Sequence, residues 1–138
     1  MQLNNVVRLI IAAPALLGLS VVALSIPAHA DAAGLQCTGT INRARADNVR
    51  FSVPWNQRHG FEQRIQFRNA RTGKELSQSS RLRYDRNNDK GQRIYRGQVG
   101  GMADVTLINL SRSFSPRVDG QISVSLDGQW GRGTCRRR

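Results

Sequence analysis

The side chains best suited to chemistry in this chain are its arginines. The 138-residue sequence carries 19 Arg against 2 Lys. A guanidinium presents a planar fork of N–H donors that grips carboxylate, phosphate or sulfate bidentately, which an ammonium cannot do. Arg64, Arg68, Arg81 and Arg83 fall at outward positions of two successive alternating stretches. Arg50 and Arg96 have outward parity on stretches of their own. If those stretches are neighbours, one sheet face becomes an arginine field that would bind an anion. The competing explanation is a charged outer face that keeps a strand protein soluble and protects its edges. An arginine-biased genome would leave the same skew.

A catalytic alternative centres on His59 and Glu62. The run Trp55-Asn56-Gln57-Arg58-His59-Gly60-Phe61 gathers aromatic, basic and imidazole groups. Such a loop could stack on sugars or bases, although Trp55 has core parity. Small basic secreted ribonucleases use carboxylate, histidine and arginine. A general acid or base needs a partner within hydrogen-bond reach, and Glu62 projects from an adjacent stretch. No Ser-centred elbow, phosphate-cradling glycine loop or metal-ligand cluster is present, and no cofactor is implied. Asp85-Arg86-Asn87-Asn88-Asp89-Lys90-Gly91 partly resembles a calcium loop. Its glycine comes one place late and Arg96 stands where the closing acid belongs, so an Asx-rich turn is the better reading.

The elements that must position these residues are short strands. Leu35–Ile41 and Val49–Trp55 alternate apolar with polar, as half-buried strands do. Phe61, Ile65 and Phe67 share one face of a third stretch. Leu76, Leu82 and Tyr84 share one face of a fourth. A hairpin centred on Thr72-Gly73 would oppose Phe61 to Tyr84, Gln63 to Leu82 and Phe67 to Gln78. On the outer face it would oppose Glu62 to Arg83, Arg64 to Arg81 and Arg68 to Ser77. Arg64 against Arg81 is then a like-charge cross-strand pair, which is unfavourable unless an anion lies between them. Tyr95, Gly97 and Val99 give a weaker fifth strand. Val105–Leu110 is apolar on both faces, which suggests a more central position.

The chain closes with a hairpin. Ile122, Val124 and Leu126 alternate with serines, and Asp127-Gly128 supplies the positive φ angles of a tight turn. A two-residue turn pairs Val124 with Gly131 and Ile122 with Gly133. Trp130 then lies outside, unless a bulge shifts the register. Strands at this spacing with no helical periodicity predict an all-β domain, a small antiparallel barrel or sandwich of about 7–8 short strands.

Residues 1–30 have the pattern of a signal peptide. Arg8 precedes an apolar run from Leu9 to Leu24, and Ala28-His29-Ala30 is a small-x-small cleavage site. The run is shorter than the ~20 residues needed to span a bilayer. The mature part, 31–138, is one domain, with an ordered part of about 35–135 and a basic tail at 136–138. In an exported chain the two cysteines, Cys37 and Cys135, are most simply one disulfide.

A formal net charge of +12, one unit of it from Arg8, draws polyanions. The sequence therefore predicts an exported, periplasmic or extracellular, non-catalytic binding module. Its ligand would be acidic polysaccharide, lipid phosphate or wall polymer; nucleic acid would be met only outside the cell. One alternative is a periplasmic inhibitor or protein-binding domain with no identifiable partner. Repulsion argues against a cationic lysozyme as that partner. The other alternative is the small hydrolase or ribonuclease built on His59.

Overall fold

The computed structural model describes residues 34–138. The signal-peptide reading at 1–30 lies outside the described residues. The described chain is all β: β1 Leu35–Ile41, β2 Val49–Trp55, β3 Gln66–Asn69, β4 Glu75–Gln78, β5 Arg83–Asn87, β6 Arg93–Val99, β7 Ala103–Asn109, β8 Gln121–Leu126 and β9 Gln129–Arg137. They form one antiparallel sheet in the order β4-β3-β2-β1-β9-β8-β7-β6-β5, curled into a half-barrel.

The alternation read from β1 and β2 sets the core. Cys37, Ile41, Val49, Phe51 and Val53 are buried on the concave side with Phe61, Ile65, Phe67, Leu107, Ile122 and Val124. Gly39 on β1 stands opposite both Phe51 on β2 and Gly133 on β9. The Phe51 ring fills the space that side chains on these glycines would take, because a Cβ on either would fall within 3 Å of it. A large ring on one strand is thus accommodated by missing side chains on the next two strands.

Cys37 and Cys135 are direct partners on β1 and β9 and form the disulfide, with Cα atoms 3.9 Å apart. β9 is the middle strand of the sheet. Asp127 and Gly128 adopt φ of 52° and 79°, the left-handed pair that a two-residue hairpin demands. The register follows as read, with Val124 opposite Gly131 and Ile122 opposite Gly133. Trp130 lies outside, half exposed, opposite Ser125. The terminal arginines are exposed, but they are not simply a tail, because β9 runs through Arg137 and Arg136 pairs with Asp119.

The third and fourth stretches differ from expectation. The third becomes a regular strand only at Gln66, although Phe61 and Ile65 are buried as its parity predicted. The turn is not centred on Thr72-Gly73. Asn69 closes a longer loop: its side chain accepts the Arg71 and Thr72 N–H groups, and its carbonyl accepts the Gly73 N–H. Gly73 supplies the left-handed residue, with φ of 74°. The pairing therefore becomes Gln66–Gln78, Phe67–Ser77 and Arg68–Glu75, with a bulge. Leu76 is the residue skipped in that bulge and is exposed rather than in the core. Arg71 and Asn69 also hold Asp47, whose carboxyl sits below its ordinary range because both side chains hydrogen-bond to it.

The fourth stretch is two strands on opposite edges of the sheet. Between them Ser79–Leu82 reaches both sides. Ser79 and Leu82 donate to the carbonyls of Ile65 and Gln63, both at 2.8 Å. Ser80 donates to the Gln98 carbonyl at 2.7 Å and accepts the Gln98 N–H on its hydroxyl at 2.9 Å. Leu82 is buried there, while Tyr84 is partly exposed and packs edge-on against Tyr95. Tyr84 opposes Tyr95, not Phe61. β7 is an interior strand, third from its end of the sheet.

Candidate functional site

A cleft of about 440 Å³ opens beside the outward face of β1–β4. Across it the ladders set Ser52 opposite Gln66 and Gln66 opposite Gln78. Gln36 joins the row from β1 by donating its side-chain amide to the Ser52 hydroxyl. Arg64, which precedes β3, and Arg81, which follows β4, line the same cleft with Gln63, Pro54 and Arg138. None of these lining residues carries a side-chain carboxylate.

Arg64 and Arg81 do not face each other across a ladder, which corrects the expected pairing. The Asn69-capped loop shifts the β3–β4 register, and regular pairing stops before either arginine. Arg81 is instead oriented by Glu62, whose carbonyl accepts its Nε–H at 3.0 Å. The Arg81 terminal N–H groups have no hydrogen-bond partner among the described residues. Arg71, Arg86, Arg96 and Arg136 form the ion pairs among the described residues; Arg64 and Arg81 are in none.

The other four arginines are divided. Arg50 stands directly opposite Arg68 on β2 and β3. Arg83 stands directly opposite Arg96 on β5 and β6, at the far side of the sheet. Asp85 pairs with Arg96 at 3.2 Å. Arg83 and Arg96 line a second cleft of about 520 Å³ with Ser80, Asp104 and, again, Arg81. A single continuous field is thus replaced by two groups. Arg81 is the residue common to both clefts.

His59 and Glu62 are not assembled as an acid–base pair. The Asn56–Gly60 bridge forms a turn in which the His59 N–H donates to the Asn56 side chain at 2.7 Å. The His59 imidazole is exposed and has no hydrogen-bond partner among the described residues. The Glu62 carboxylate accepts the Tyr84 backbone N–H at 3.1 Å, a structural role. Trp55 and Phe61 flank the turn and are buried in the core, so neither offers a stacking face. In the Asp85–Gly91 segment, Asn88 accepts the Lys90 and Gln92 N–H groups on its side chain, the Asx-turn arrangement read from the sequence. Asp85 belongs to β5.

Three features were missed at the sequence level. The Gln36–Ser52–Gln66–Gln78 row was visible only as scattered outward residues, because its alignment depends on register. Arg138 enters the cleft because β9 carries it alongside β1. Arg112 and Arg117 line a third cleft, of about 680 Å³, with Ser111, Ser113 and Gln121. The serine hydroxyls there are spent on the loop itself: Ser111 and Ser113 bond to each other at 2.9 Å, and Ser113 donates to the Ser115 carbonyl.

Comparison with protein-family models, with curated proteins and with solved structures gives no match to this chain.

Proposed function

We propose that this protein is an exported, non-catalytic binding module for an anionic envelope or extracellular polymer. Its contact surface is the cleft that Arg64 and Arg81 share. The observation that carries this reading is the convergence of those two guanidiniums, which form no ion pair among the described residues, on a cleft whose described lining has no acidic side chain. Guanidinium groups bind oxyanions in two-point geometry, and a positive protein gathers polyanions from a distance. The Cys37–Cys135 disulfide supports an oxidising compartment, and with it export.

Binding of the purified protein to acidic polysaccharide, polyphosphate and anionic lipid vesicles, at low and at physiological salt, tests the reading. Exposed charges are screened over about 8–10 Å at physiological ionic strength, so affinity should fall steeply with salt. The Arg64→Gln, Arg81→Gln double variant should lose most of it. Unchanged binding by that variant, or affinity indifferent to salt, reduces these arginines to a solvated surface.

A further inference from the structure

We infer that the cleft is built for an acidic polysaccharide lying across the strands, with carboxylates at its ends and hydroxyls between. This rests on the anion-binding reading above and specifies its ligand. Ser52, Gln66 and Gln78 are direct neighbours on β2, β3 and β4, and Gln36 adds β1 through its bond to Ser52. With strands about 4.8 Å apart, a row over four strands is about 14 Å long. That is the scale of a short run of sugar rings.

Charge stands at both ends of the row. Arg64 and Arg81 lie by Gln66 and Gln78, and Arg138 follows β9, where Arg136 pairs with Gln36. The middle is neutral and amphoteric. A glutamine amide both donates and accepts, as a sugar hydroxyl does. A phosphate chain offers only acceptors, so it would use the amide N–H groups of the row and leave the amide oxygens without donors. Among the described residues no aromatic side chain lines the cleft, so a nucleobase finds no stacking platform there. Pro54 is the one apolar lining residue among those described, which gives a bilayer nothing to hold. Spaced carboxylates on a hydroxyl-rich chain fit this alternation of guanidinium and amide better than continuous phosphate.

The test is calorimetric titration of the full chain with an oligo-uronate, its methyl-esterified form, polyphosphate of matched charge and phosphatidylglycerol vesicles. The oligo-uronate should bind tightest at physiological salt, and esterification should abolish binding. The Gln66→Ala, Gln78→Ala double variant should weaken oligo-uronate binding about tenfold, as expected for two lost hydrogen bonds. It should leave polyphosphate binding within about twofold, since bulk electrostatics is unchanged. Both glutamines are exposed, and retention of the parent circular dichroism spectrum confirms the fold. Equal loss for both probes, no loss for either, or preference for polyphosphate or vesicles overturns the polysaccharide assignment. If the arginine variants still weaken binding, the anion-binding reading survives that result. If the arginine variants change nothing, both readings fall.

Discussion

Arg64 and Arg81 line one cleft although no ladder joins them. The like-charge contacts that do occur directly across a ladder are Arg50 with Arg68 and Arg83 with Arg96. This relocates the electrostatic cost of the surface. Removing Arg64 and Arg81 should not stabilise the free domain, because Arg81 also donates to the Glu62 carbonyl.

Arg50→Glu is expected to stabilise the protein by about 0.2–1 kcal/mol, since it turns a repulsive cross-strand pair into an attractive one. Urea unfolding at low salt measures this, and the gain should shrink as salt rises. A loss of stability would mean that Arg50 and Arg68 are not neighbours in solution.

The disulfide ties the first strand to the last, closing a loop with a sequence separation of 98. The Cys37→Ala, Cys135→Ala double variant should be less stable by about 2–5 kcal/mol, the usual cost of losing a native bridge in a small domain. Denaturant midpoints of the oxidised, reduced and double-variant proteins settle the size. Two free thiols in a non-reducing peptide map would refute the bridge.

Gly39 is expected to be the least replaceable glycine. An added Cβ would lie 2.1 Å from the Arg132 carbonyl oxygen and 2.5 Å from the Phe51 ring. The carbonyl belongs to the sheet backbone and cannot swing away. Gly39→Ala should cost about 3 kcal/mol or more, at or beyond the upper range for overpacking. Gly73→Ala meets no atom within 4 Å and carries only its positive φ, for about 1–2 kcal/mol. Equal thermal shifts for the two variants would contradict the packing of Phe51.

Tyr95 should produce an alkaline instability. Burial raises its phenol above the ordinary tyrosine value of 10.0; Arg93 opposes the rise and Glu62 adds to it. The folded state therefore holds this proton more tightly than the unfolded state does. That stabilisation is complete below pH 10.0 and is lost as pH climbs from there through the raised native value. Urea midpoints between pH 8 and pH 12 should fall less steeply in Tyr95→Phe than in the parent. Parallel slopes would show that another group is responsible.

Local pattern was enough for part of the molecule. The alternation in Leu35–Ile41 and Val49–Trp55 shows which residues face inward, because successive side chains on a strand point to opposite faces. Asp127-Gly128 sets the last hairpin and its register, because few residue pairs accept two positive φ angles. The two cysteines had only each other to pair with.

What the sequence could not carry was long-range alignment. Asn69 lengthens the β3–β4 loop through hydrogen bonds from its side chain, and that slips the register on which Arg64–Arg81 and Arg68–Ser77 were matched. Leu76–Tyr84 reads as one strand by parity, yet it leaves β3 at Gln78 and joins β6 from Arg83. Alternation reports which face a residue occupies and nothing about which strand lies beside it. Strand order is decided by closure of the whole sheet, where Ser79–Leu82 must satisfy backbone groups on both edges at once. That closure divides the arginines into two groups, and ladder registers far apart in sequence bring Ser52, Gln66 and Gln78 into one row, which Gln36 joins through its bond to Ser52.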